Sequence, residues 1–275
     1  RLPEPQRKNP WMRGGLLAPL RTLTTHRLPR PASALVSASF LASRSRKAAR
    51  PLSLSTHTAT MSPAGVSVIL GTMTFGWARS SGTVDAAVAG AMVDAFLDAG
   101  HKDIDTALIY SDGNTEKILG EIMPPGGPRD ARIGELATKA GPWQGTSMQG
   151  NGGLSAAQVR AKMEASLASL KRNKVDLYYL HAPDAATPIE ETLGEVDRLH
   201  REGRFSRFGL SNFQAWEVAH IHHHCAAKGY ITPTVYQGMY NAVTRDVEKE
   251  LLPCLRKLGI AFYAYNPLAG GVLTG

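Results

Sequence analysis

Leu177-Tyr178-Tyr179-Leu180-His181 is a short apolar run that ends on a histidine, and the same design occurs twice upstream, in Leu136-Ala137-Thr138-Lys139 and in Ile104-Asp105. Each run reads as a buried strand with a chemically useful side chain at its C-terminal end. Tyr110 lies five residues beyond Asp105, in the loop that follows its strand. In a parallel β/α barrel the strand C-termini converge on one face, so residues far apart in sequence meet in one pocket. Asp105, Tyr110, Lys139 and His181 are therefore a candidate catalytic set.

Working outward from these runs, the pattern alternates. Residues 66–70 form a first strand, ending at Gly71-Thr72-Met73. Apolar residues at Ala87, Val88, Met92, Val93 and Phe96 predict a helix over 84–99, stopped by Gly100. Asn114 is a good N-cap for a short helix through Leu119. A turn at Pro124-Pro-Gly-Gly-Pro128 precedes a strand over 133–139, and a long Gly-rich loop follows over 141–154. Ser155 and Gln158 make a capping box for a helix over 156–170. Thr187 as N-cap, Pro188 at the first helical position and Glu190 open another that ends near Gly203. Further strands are read at 175–180, 205–210, 234–236 and 261–265, with helices at 215–228 and 245–258.

Strict β-α alternation predicts an α/β fold with a parallel sheet. A doubly wound sheet shows the same alternation, but no GxGxxG follows the first strand. The expected fold is thus a parallel (β/α)8 TIM barrel, truncated after strand 7. Residues 61–275 number 215, against about 250 for a typical barrel.

The formal charge of +8 is unevenly placed. Residues 1–60 carry eleven Lys and Arg and a single acid, Glu4; the remainder has 20 basic and 22 acidic residues, a net charge of −2. A near-neutral globular part with no basic, aromatic-interleaved patch predicts no nucleic-acid partner. No apolar run reaches the roughly 18 residues of a membrane span. Cys225 and Cys254 have neither CxxC nor metal-ligand spacing, which fits a reducing compartment. The basic, Ser-rich, acid-poor residues 1–60 read equally as an organelle transit peptide starting at Met12 or as a disordered or untranslated extension. Met61 would be an alternative start. The expected compartment is cytoplasmic, or mitochondrial if 12–60 is a transit peptide.

Chemically, the four residues suit reduction of a carbonyl. A tyrosine hydroxyl, with a reference pKa of about 10, is a poor acid at neutral pH. An adjacent ammonium stabilises the phenolate, and Lys139 is expected to lower the pKa of Tyr110 in this way. Asp105 would hold Lys139 as its ion-pair partner, and a neutral His181 would donate a hydrogen bond to the carbonyl oxygen. Such donors must point at the oxygen where negative charge develops.

The motifs Asp105-Thr-Ala-Leu-Ile-Tyr110-Ser-Asp-Gly113, Ala137-Thr-Lys139, Tyr179-Leu-His181-Ala-Pro-Asp184, Gly209-Leu-Ser-Asn-Phe213, Val235-Tyr-Gln237 and Tyr263-Ala-Tyr-Asn-Pro-Leu268 resemble the aldo-keto reductases. Pro233-Thr-Val-Tyr-Gln-Gly-Met-Tyr-Asn241 and Asn266-Pro-Leu-Ala-Gly-Gly271 are most similar to the aflatoxin-aldehyde reductase branch. The resemblance runs from about Val66 to Gly275. It implies NADPH-dependent reduction of aldehydes and ketones, with Tyr110 as proton donor, Lys139 and Asp105 as its partners, and His181 orienting the substrate. It further implies that Ser211, Asn212 and Gln237 bind the nicotinamide carboxamide and that Tyr265 stacks on its ring. Asn266, Pro267, Leu268, Ala269, Gly270, Gly271, Val272, Leu273, Thr274 and Gly275 match the loop that wraps the cofactor pyrophosphate. Met73 and Trp143 match substrate-pocket positions. Homodimerisation is a further implication. The family's eighth strand carries the basic residues that grip the 2′-phosphate, and they lie outside this sequence, so NADP over NAD rests on resemblance alone. The competing reading is a catalytically impaired or non-catalytic, barrel-derived binding or regulatory protein.

His220, His222, His223, His224 and Cys225 share one predicted helix, with His220 and His224 one turn apart. That spacing can bind a metal. With no carboxylate to complete a site, a solvated helix face and no metal are expected.

Overall fold

The computed structural model describes residues 66–77, 82–143 and 153–274. The expected extension over 1–60, most of the Gly-rich loop and Gly275 lie outside the described residues. Seven strands form one sheet: β1 (Ile69–Gly71), β2 (Asp103–Asp105), β3 (Leu136–Ala140), β4 (Val175–Leu180), β5 (Phe205–Ser211), β6 (Pro233–Met239) and β7 (Ala261–Tyr265). They are parallel and hydrogen-bonded in sequence order. A doubly wound sheet reverses its strand order at a switch point. This sheet never does, and it curls as the seven-strand part of a (β/α)8 barrel.

The helices α1 (Ala86–Asp98), α2 (Asn114–Ile122), α3 (Ala156–Ser169), α4 (Ile189–Arg201), α5 (Ala215–Lys228) and α6 (Leu251–Leu258) each follow one strand, from β1 to β6. Strand side chains alternate between two layers. Tyr178, Leu180, Phe208 and Leu210 pack outward with helix residues such as Val159, Met163, Val196 and Val218. Ala137, Leu177, Tyr179 and Val235 form a separate inner cluster with Tyr263 against it. The register pairs Tyr179 with Gly209, and a Cβ at Gly209 would lie 2.5 Å from the Tyr179 ring. The large inner tyrosine thus requires the glycine opposite. The same alternation turns Lys139 inward beside Ala137 and sends Thr138 outward.

Some expected boundaries shift, each for a local reason. The first strand begins at Ile69 rather than at residue 66, and Val66 and Val68 are exposed. β3 begins at Leu136 rather than at 133; the Asp103 carboxylate takes the Glu135 amide at 2.9 Å and Asp176 that of Leu136 at 2.8 Å. Asn114 is the first residue of α2 rather than its cap; left-handed Gly113 occupies the cap position. Likewise α4 opens at Ile189 with Pro188 in the cap position. The helix expected from residue 245 starts only at Leu251. Asp246–Glu248 instead makes a tight turn, drawn together by Arg245 and Tyr240 on Glu248 and by Lys249 on Asp246. The Ser155–Gln158 capping box is present as read.

Candidate active site

Three consecutive strands deliver the first residues of the site. Asp105 ends β2, Lys139 is next to last in β3, and His181 directly follows β4, its backbone N–H bonded to the Ala140 carbonyl at 2.7 Å. The Lys139 side chain is fully buried, and its three donors are all used. Nζ donates to Asp105 Oδ2 at 2.6 Å, to the Thr106 carbonyl at 2.8 Å and to Tyr110 Oη at 3.2 Å. Gln237 of β6 donates to the other Asp105 oxygen, Oδ1, at 3.0 Å. The His181 ring meets Tyr110 edge-on at 5.8 Å and Trp143 edge-on at 5.1 Å.

Tyr110 opens a tight turn over Tyr110–Gly113 rather than an open loop. Ser111, Asp112 and Gly113 have φ of 49°, 61° and 77°. Left-handed backbone costs a non-glycine residue about 1–2 kcal/mol, and such strain gathers at functional sites. Ser111 ties the turn down by donating to the Met73 carbonyl at 3.3 Å. Met73 itself stands half exposed just after β1.

The electrostatics differ from expectation in one respect. Burial raises the Tyr110 phenol above its ordinary value, and the Lys139 ammonium only partly offsets this, so the net shift is upward. Burial alone would lower Lys139, but Asp105 and Tyr110 outweigh it and the ammonium is retained. Burial, helped by the Lys139 charge, drops His181 to about 3, so its imidazole is neutral at physiological pH. Its Nδ1 is buried without a hydrogen-bond partner.

A second group of residues adjoins the first. Ser211 ends β5, and left-handed Asn212 after it donates to Ser211 Oγ at 3.0 Å and to the His181 carbonyl at 2.9 Å. Tyr265, the last residue of β7, donates its hydroxyl to Asn212 Oδ1 at 2.8 Å. Asn241, absent from the sequence-based set, accepts from the Val243 and Thr244 amides and donates to the Asn266 carbonyl at 3.1 Å. It joins the loops after β6 and β7. Ala269–Thr274 is a tight turn whose hydrogen bonds stay local, Gly270 N to Asn266 Oδ1 and Thr274 Oγ1 to the Gly271 carbonyl. Pro267 and Leu268 lead into it; Leu268, Val272 and Leu273 are exposed. Thus Ser211, Asn212, Gln237 and Tyr265 join the Asp105, Lys139 and His181 group through hydrogen bonds, whereas residues 267–274 stand apart from it.

A model of the aldo/keto reductase family matches residues 67–275. The chain belongs to the aldo/keto reductase family. Human aflatoxin B1 aldehyde reductase member 2 is 52% identical over 213 residues, covering 78% of this chain and 56% of that protein. The mouse protein of the same name is 49% identical over 230 residues, 82% of this chain and 59% of the relative. Human aflatoxin B1 aldehyde reductase member 4 is 50% identical over 215 residues, 78% and 61%. This aldo/keto reductase chain therefore falls in the aflatoxin-aldehyde reductase branch, and it spans less than two thirds of the length of these relatives.

The donor set of this aldo/keto reductase fits a nicotinamide cofactor. Asn212 links Ser211 and the His181 carbonyl to the hydroxyl of the half-buried Tyr265, and Gln237 reaches Asp105, at the strand ends that also carry Lys139 and His181. Gly270 and Gly271 are left-handed, with no atom within 4 Å of where a Cβ would stand, so their backbone is open to close approach, although their N–H groups already donate to Asn266 Oδ1 and to the Leu268 carbonyl. Trp143 also borders a cleft of about 340 Å³, lined by Leu108, Ile109, Asp112, Gly113 and Lys162 among others.

One buried residue of this region lies outside the sequence-based set. Glu116 sits beside Thr115, Ile118 and Leu119 on the packed face of α2 and is fully buried. The histidine helix has one carboxylate beside it. Glu190 of α4 places Oε1 3.2 Å from His220 Nε2, although both are exposed. Among the described residues, no three His, Cys, Asp or Glu side chains are grouped to hold a metal.

Proposed function

We propose that this chain reduces aldehydes and ketones to alcohols with NADPH, using Tyr110 as the proton donor. The observation that carries this reading is Lys139 Nζ bonded at once to Asp105 and to Tyr110 Oη, with His181 alongside. Bound at this face, the reduced nicotinamide supplies the hydride. The chain's own residues do the rest. Tyr110 Oη and a neutral His181 N–H converge on the substrate oxygen and stabilise the charge that develops there. Tyr110 keeps its proton in the resting site because burial holds its pKa up, and the same burial makes a nearby alkoxide a strong proton acceptor. Lys139 then stabilises the phenolate left behind. Asp105 keeps Lys139 charged in a dry site.

On this reading Ser211, Asn212 and Gln237 hold the carboxamide, and Tyr265 lies against the nicotinamide ring. Residues 266–275 wrap the pyrophosphate, and Met73 and Trp143 shape the substrate pocket. The aldehyde-reductase names of the relatives support aldehydes as the substrate class. NADPH as the preferred cofactor and a homodimeric assembly are carried by the family likeness. Among the described residues no helix is long and apolar enough to cross a membrane. The test is NADPH oxidation with an aromatic aldehyde, run on the wild type and on Tyr110→Phe. The variant should lose at least about 99% of turnover, within the range for a lost acid catalyst. It should still bind NADPH within about twofold of wild type by protein fluorescence, since the phenol hydroxyl is assigned no role in cofactor binding. Turnover unchanged by the substitution would rule out Tyr110 as the proton donor.

A further inference from the structure

Glu116 is a carboxyl with 0% exposure that the proposed chemistry does not use. Glutamate is almost never fully buried unless it is paired. Its partner here is a neutral hydroxyl: Thr138 Oγ1 donates to Glu116 Oε1 at 2.5 Å. Thr138 precedes Lys139 in β3, and its side chain leaves the opposite face of the strand. Whatever fixes Thr138 therefore fixes the backbone from which Lys139 reaches inward. Glu116 lies in the first turn of α2, a helix joined to Tyr110 only by the left-handed residues 111–113. Its neighbour Thr115 donates to the Phe75 carbonyl at 2.8 Å, a second anchor for the same turn. Ser166 of α3 lies near enough to favour the ionised carboxyl, although Glu116 Oε2 and Ser166 Oγ are both buried without closing a hydrogen bond.

We propose that Glu116 is a positioning residue for the Tyr110–Lys139 pair, holding the helix that follows Tyr110 against the strand that carries Lys139 through the Thr138 hydroxyl. This rests on the reading of Tyr110 as proton donor. Burial raises the Glu116 carboxyl, so shape and hydrogen bonding matter more than charge, and glutamine should substitute well. Alanine would leave the Thr138 hydroxyl without its acceptor and α2 free to shift. A displacement on the order of 1 Å at such a pair costs up to about 100-fold in rate.

The test uses the full chain as Glu116→Ala, Glu116→Gln and Thr138→Val, each with its Tyr110→Phe counterpart. Two readouts are taken: steady-state kinetics, and the phenol titration of Tyr110 by ultraviolet difference against the counterpart. Tyr110 is faced by Lys139 of β3, Asp105 of β2, His181 after β4 and Tyr265 of β7. Glu116→Ala and Thr138→Val should lower kcat about tenfold or more, leave KM for NADPH within about twofold, and move the Tyr110 midpoint upward as the ammonium recedes. Glu116→Gln should restore both readouts. If Glu116→Ala does not fold, Thr138→Val carries the test. The proposal is overturned if kcat and the titration stay at wild-type values while only the melting temperature falls, or if glutamine is as damaging as alanine. A wild type that reduces no aldehyde would overturn the functional reading instead, and the phenol titration, which needs no turnover, would still decide the role of Glu116.

Discussion

Lys139 is a fully buried ammonium whose three donors are all spent, two of them on Asp105 and Tyr110. Removing one partner of a buried ion pair strands the other, at about 3–5 kcal/mol. Lys139→Met should therefore lose both turnover and stability of that order, measured by urea unfolding; a variant of wild-type stability would mean that Asp105 finds another partner. His181 makes a prediction in pH. Its folded value of about 3 lies below the ordinary 6.5, so the neutral ring is favoured by folding. That contribution is complete above about pH 6.5 and is lost as pH falls toward 3, at about 1.4 kcal/mol per unit. Unfolding free energy followed from pH 7 to 4 should decline less steeply in His181→Asn than in wild type. Equal slopes would show that the histidine is protonated at its ordinary pKa in the folded state.

At the level of elements, α2 packs closely on the end of α3 at Gly120. A Cβ on Gly120 would stand 2.2 Å from the Ser169 carbonyl, and backbone cannot swing aside as a side chain can. Gly120→Ala should destabilise the fold by about 1–3 kcal/mol, read as a lower melting temperature; an unchanged melting temperature would mean that α2 sits off α3 in solution. Elements were legible in the sequence where their signals were local. β4, α5 and β7 have the bounds that their apolar runs and flanking residues indicate. The α3 capping box could be read from Ser155 and Gln158 alone. Bounds were missed where contacts beyond the local run act, as where Tyr240 holds Glu248 in the turn before α6. Asp105, Lys139 and His181 were legible because each terminates an apolar run. The left-handed turn after Tyr110, Asn241 bridging two loops and Glu116 under Thr138 were not, since each depends on a contact across the fold.

For the whole molecule, the ordered parallel sheet is what turns scattered residues into a site. Seven strands in sequence order bring Asp105, Lys139 and His181 to neighbouring strand ends, and Gln237 reaches Asp105 from across the sheet. On the proposed chemistry, hydride goes to the carbonyl carbon and the proton comes from Tyr110. NADPH carrying deuterium at the hydride-donating carbon tests this, with p-nitrobenzaldehyde as acceptor and mass spectrometry of the alcohol as readout. One deuterium should appear on the alcohol carbon with the wild-type chain, and almost no alcohol should form with Tyr110→Phe. Unlabelled alcohol from the wild type, or labelled alcohol formed equally fast by the variant, would contradict it.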